Sequence, residues 1–163
     1  MNDILRRRRA LLGAEESWQD VTSQYPLTAF IVSGGNAAIT LSQNNTVMRA
    51  YTTTIGTYRN VVITNFTADP SYVYRVSCHV KPTSGEPRFT CRSAGGQIVP
   101  STSSGAITAE TNLSYKFNGN AEITQLTLWL TWSTSSAGDT TISNWKIERR
   151  RLVVSTSPSD ASE

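Results

Sequence analysis

The residues of this chain best suited to meet a ligand are aromatic and cationic. In ITQLTLWLTW, residues 123–132, the set Leu126, Leu128, Leu130 and Trp132 alternates to one side, which turns Trp129 to the other among Gln125, Thr127 and Thr131. A tryptophan on the outer side of a threonine-rich strand offers a flat apolar face bordered by hydroxyl and amide groups. That combination suits stacking under a sugar ring, with Arg75, His79, Arg88 and Lys146 on the same outward surface as hydrogen-bond donors. Cover from a loop, from the segment carrying Trp18 or from a neighbouring subunit accounts for Trp129 equally well.

Hydrolytic chemistry leaves few traces by comparison. His79 is the one histidine, and its place in the strand alternation points it to solvent. Neither a Gly-x-Ser-x-Gly elbow nor histidine-rich metal spacing occurs, so no nucleophile, base or metal set is assembled locally. A glycosidase pair would have to converge from Glu110, Glu122, Asp139 and Glu148. The expectation is a non-enzymatic protein with no catalytic residue, metal or cofactor.

The elements that must position these side chains are strands. Residues 72–81, YVYRVSCHVK, alternate with Tyr72, Tyr74, Val76, Cys78 and Val80 on one face, the pattern of an antiparallel strand packed on one side only. Pro82, Ser84, Gly85 and Pro87 follow, then Phe89 and Cys91 resume the alternation. This predicts a hairpin symmetric about Ser84 and Gly85, with Val80 opposite Phe89 and Cys78 opposite Cys91. Further strands are expected over 29–32, 37–42, 47–53, 60–66, 107–113, 123–132 and 140–149, separated by turn clusters such as Asp69-Pro70-Ser71 and Asn118-Gly119-Asn120. So many short strands, with no helical period after residue 13, predict an all-β antiparallel sandwich or barrel.

Length and charge bound the rest. A chain of 163 residues suits one core with short appendages. Its net charge of +3 is local, because Arg6, Arg7, Arg8 and Arg9 hold four of the 15 basic residues and Asp3 one of the 12 acidic ones. Residues 13–163 therefore balance, which argues against a broad nucleic-acid-binding face and leaves only residues 6–9 for such a partner. No apolar run approaches the roughly 20 residues that cross a bilayer. Behind the arginines only Ala10, Leu11 and Leu12 precede Gly13, too little for a secretory h-region, so the chain reads as made in a cytosol. Under reducing conditions Cys78 and Cys91 are expected as two small buried hydrophobes rather than a disulfide.

Residues 1–13 carry helix start and stop signals in Asn2 or Asp3 and in Gly13. A helix of that length is not stable alone in water. Either it packs on its own domain, or Ile4, Leu5, Leu11 and Leu12 fill a groove of a larger assembly while the arginines meet carboxylates or phosphate. The organisation read from the chain is an anchor helix over 1–13, a linker over 14–28, a sandwich over 29–154 and a disordered tail over 155–163.

The order of these features resembles the jelly-roll carbohydrate-binding modules. The turn Asp69-Pro70-Ser71 leads into Tyr74-Arg75-Val76-Ser77, and the last strand closes as Ile142-Ser143-Asn144-Trp145-Lys146-Ile147-Glu148, over about residues 36–149. MNDILRRRRALLG ahead of such a module looks like the N-terminal anchor of small structural proteins of tailed bacteriophages. The resemblance implies a jelly-roll sandwich with a short N-terminal α-helix, in a non-enzymatic virion protein of the tail, baseplate or capsid surface. It implies contacts with other virion proteins, a homo-oligomer such as a trimer, a cell-surface glycan as ligand and no membrane. Synthesis in the host bacterial cytoplasm and residence in the virion follow from the same reading. The alternative is a free-standing glycan-binding lectin, and a small glycan hydrolase ranks below both. The chain departs from modules carried by secreted enzymes in lacking a signal peptide, a catalytic domain and a calcium-ligand cluster.

Overall fold

The computed structural model describes residues 17–33, 36–55, 59–132 and 136–152. Ten strands are formed there: β1 (Gln19–Asp20), β2 (Ile31–Val32), β3 (Ala37–Ser42), β4 (Val47–Thr52), β5 (Asn60–Ile63), β6 (Tyr72–Ser84), β7 (Arg88–Arg92), β8 (Thr111–Asn118), β9 (Gln125–Trp129) and β10 (Asp139–Arg151). They make two antiparallel sheets. One runs β3-β4-β10-β6-β8, with β1 also on β10, and the other runs β2-β5-β9-β7. The all-β sandwich expected from the alternation is the fold observed.

The expected hairpin is not formed. β6 lies between β10 and β8 in the larger sheet, whereas β7 pairs β9 in the smaller one. Cys78 therefore sits opposite Leu113, and Cys91 opposite Leu126. The inward side chains are the expected ones, since Val76, Cys78, Val80, Phe89 and Cys91 are all buried in the core. Alternation fixes which face of a strand is apolar, but that face packs equally well beside a hairpin partner or across a sandwich. The chain crosses between sheets at Gly85, whose φ of 77° suits glycine and where a Cβ would lie 2.6 Å from the Leu130 carbonyl oxygen.

Other boundaries move for identifiable reasons. The strand expected over 107–113 lies at Thr111–Asn118, because residues 99–107 run irregularly along the edge of β7. Backbone bonds from Val99 to Cys91, Ser104 to Phe89 and Ile107 to Pro87, each 2.9 Å, hold them there. Ahead of residue 29, β1 pairs Gln19 with Arg149, and Val21 and Leu27 are buried in the core. That stretch, read as a linker, is built into the sandwich from residue 19 onward. The anchor helix over 1–13 and the tail over 155–163 lie outside the described residues.

Between the sheets the core is a chain of rings. Phe66 packs on Tyr25, Tyr74 and Phe117, Tyr115 joins Phe117 to Phe89, and Trp145 bridges Phe89 and Phe30. Both thiols are free and buried.

Candidate functional site

With Leu126, Leu128, Phe89, Cys91, Val61 and Ile63 all turned into the core, the alternate residues of β5, β9 and β7 form the outer face of the smaller sheet. Register places Trp129 between Asn60 and Arg88, and Thr127 between Val62 and Thr90. Arg92 lies beside Gln125 at the end of the same face.

Trp129 is pinned on this face. Its indole Nε1–H donates to Thr90 Oγ1 at 3.0 Å, and Trp132 meets it edge to face with ring centroids 5.5 Å apart. The Arg88 guanidinium stacks 4.3 Å over Trp132, and that of Arg92 lies 5.4 Å from the Trp129 ring. Arg92 Nε donates to the Gly96 carbonyl at 2.7 Å. Partial burial depresses the proton affinity of Arg92, although an arginine stays charged at any physiological pH. Beneath the rings Thr90, Thr127 and Asn60 are buried. Asn60 Oδ1, Thr127 Oγ1 and Arg88 Nε are buried without a hydrogen-bond partner. Unsatisfied polar atoms of that kind cost about 1–3 kcal/mol each, and three of them lie around one aromatic platform.

Trp132 corrects the sequence expectation. Alternation puts it inward with Leu130, but it is 52% exposed. β9 ends at Trp129, and beyond it a period-2 pattern no longer reports orientation. At its far side Trp132 borders a shallow cleft of about 410 Å³ shared with Gly85, Glu86, Thr131 and Ser136.

The structure divides the candidate ligand residues between two faces. Trp129 and Arg88 meet on the smaller sheet. Arg75, His79 and Lys146 lie on the outer face of the larger sheet, on the other side of the core. There Arg75 Nε and Nη2 donate to Glu148 Oε2 at 2.8 and 2.6 Å, and Lys146 Nζ to Glu148 Oε1 at 2.7 Å. Burial pushes the Glu148 carboxyl up, but the bonds from Lys146 and then Arg75 outweigh it and hold the group below its ordinary range. Trp18 lies on this same face, with the Arg75 guanidinium 4.2 Å from its ring, so it does not cover Trp129. His79 bonds Asn112 Oδ1 and Glu110 Oε1, each at 2.9 Å, which raises its pKa through the Asn112 bond first and the Glu110 bond second. A cleft of about 650 Å³ opens beside it, lined among others by Lys81, Ser143 and Trp145.

Arg92, Thr90 and Asn60 are absent from the residues picked out by sequence. Arg92 was legible, because Arg88, Thr90 and Arg92 alternate on one strand. Asn60 was not, since its neighbour Trp129 is 69 positions away and only sheet pairing joins them. Among the described residues no group of His, Cys, Asp and Glu gathers to hold a metal ion, and no helix is long and apolar enough to cross a membrane.

No protein-family model matches the chain, and no curated protein sequence does. Solved structures do. A structure described as CBM4 aligns at a TM-score of 0.56 with 11% identity, over 76% of this chain and 96% of its own. The CBM22-1 xylan-binding domain from Paenibacillus barcinonensis Xyn10C aligns at 0.51 with 13% identity, over 76% and 86%. The low-affinity xylan-binding module CBM86 from Roseburia intestinalis aligns at 0.56 with 12% identity, over 84% and 96%. At these identities the likeness is one of fold, and the fold is the jelly-roll sandwich of carbohydrate-binding modules.

Proposed function

We propose that this chain is a non-catalytic glycan-binding module whose ligand lies on the outer face of the smaller sheet. The observation that carries the reading is Trp129, half-buried on that face and fixed there by Thr90 on the next strand. A sugar stacks its C–H face on the half-buried indole, which presents its outer side to solvent. Trp132 stands edge to face beside it, and Arg88 and Arg92 border the pair. The fold shared with modules that bind xylan supports the same reading.

Isothermal titration calorimetry against a panel of soluble polysaccharides tests it. Trp129→Ala is expected to lower affinity about tenfold or more while leaving the melting curve intact. Failure of every polymer to bind, or binding indifferent to Trp129, overturns the assignment.

Display of the module on a bacteriophage particle, held by residues 1–13, is a second reading. It is favoured by the run Arg6, Arg7, Arg8 and Arg9 flanked by Ile4, Leu5, Leu11 and Leu12. Other virion proteins and symmetry copies would then be its partners. Mass spectrometry of purified particles tests it directly.

A further inference from the structure

We infer that the saccharide recognised on the smaller sheet carries anionic groups, uronate carboxylates or sulfate esters, bound by Arg88 and Arg92. The inference rests on the glycan-binding reading and narrows it to one ligand class.

The first observation is how charge is distributed over the two faces. On the larger sheet five cationic side chains have counter-ions, Arg49 with Asp139 at 2.6 Å, Arg75 and Lys146 with Glu148, and Lys81 and His79 with Glu110, whereas Lys116 and Arg149 lie against aromatic rings without one among the described residues. Among the described residues neither Arg88 nor Arg92 forms an ion pair. The acidic group near them is Glu86, which shares the shallow cleft with Trp132. One carboxylate at the margin leaves the pair of arginines with a net positive field.

The second observation is geometry. Arg88 and Arg92 are two strand positions either side of Thr90, so both guanidinium groups stand on the edge where Trp129 is anchored. Each stacks on a tryptophan, which immobilises the fork before a ligand arrives. Arg88 Nε is buried and unpartnered, and Arg92 has one nitrogen on the Gly96 carbonyl, leaving the remaining donors of both forks for a ligand. A neutral glycan satisfies hydroxyl-sized acceptors and leaves two partly desolvated cations unpaired. Carboxylates or sulfates repeated along an anionic chain accept charge-assisted hydrogen bonds from each.

The test is calorimetry with polygalacturonate, a heparin-type sulfated polysaccharide and a neutral xylan, using the full chain at two salt concentrations. Binding to one anionic polymer is expected to exceed binding to xylan and to weaken as salt rises. The double variant Arg88→Gln, Arg92→Gln is expected to lose on the order of tenfold in affinity or more, with charge-preserving Arg88→Lys, Arg92→Lys retaining part of it. Whether polygalacturonate or the sulfated polymer binds better identifies the anionic group. Changing residues 6–9 to glutamine controls for attraction to the basic N-terminus and should leave this affinity unchanged. If that control abolishes binding and the Arg88/Arg92 variant does not, the inference is wrong. If xylan binds as tightly as the anionic polymers, the inference fails and the glycan-binding reading stands. If none of the three binds, the inference fails, and the wider polysaccharide panel decides the glycan-binding reading.

Discussion

The indole of Trp129 and the hydroxyl of Thr90 share a 3.0 Å hydrogen bond across neighbouring strands, and this bond sets which way the ring lies on the sheet. An outward tryptophan without it would be free to rotate between rotamers and would have to be ordered again by each ligand. Thr90→Val keeps the shape of the side chain and removes the acceptor. The expected result is a several-fold loss of affinity by calorimetry with circular dichroism unchanged; equal affinity would show that Trp129 is held by packing alone.

Phe89 joins the two halves of the aromatic core, touching both Tyr115 and Trp145 from the smaller sheet. Truncation to alanine leaves a cavity that the two sheets cannot collapse to fill. Phe89→Ala should cost about 3 to 5 kcal/mol in urea unfolding, and a loss below about 1 kcal/mol would contradict this packing.

Glu148 links stability to acid. Its folded pKa is depressed below the ordinary value of 4.5, so its contribution is complete above that value and is lost as pH falls through the folded pKa. Wild-type melting temperature should therefore drop on acidification below about 4.5 more steeply than that of Glu148→Gln. Removal of the partner in Arg75→Ala should cost about 2 kcal/mol at neutral pH, less than for a fully buried pair because Arg75 is 26% exposed.

Burial pushes the thiols of Cys78 and Cys91 up to about 12, and they lie on different sheets. Neither should react with iodoacetamide at pH 8 until denaturant is added, and air oxidation should form no internal disulfide. Mass spectrometry after alkylation reads both outcomes, and rapid labelling of native protein would refute the placement.

Deletion of residues 1–13 should leave a folded sandwich with an unchanged far-ultraviolet spectrum, because β1 and the buried Val21 and Leu27 lie beyond the cut. If these residues are the particle anchor, the truncated chain should no longer incorporate into particles. Normal incorporation would place the anchor elsewhere.

What the sequence determined by itself was inside and outside. The two-residue period is a local property, so the apolar faces of 72–80 and 126–130, the outward turn of Trp129 and the all-β class were all legible without a partner strand. What the tertiary structure decided was pairing and sidedness. β6 and β7 read as a hairpin, because proximity in the chain and matched alternation are what a hairpin shows. Yet the backbone bonds of β7 go to β9, 33 or more positions later, and nothing local encodes that choice. Sidedness follows from it. Outward means only away from the core, and a sandwich has two such faces. Arg75, His79 and Lys146 share an exposure pattern with Trp129 while standing across two sheets from it. Asn60, Thr90, Arg92 and Trp129 converge because sheet closure is a long-range contact, chosen by how the apolar faces of both sheets fit together and not by any one strand's composition.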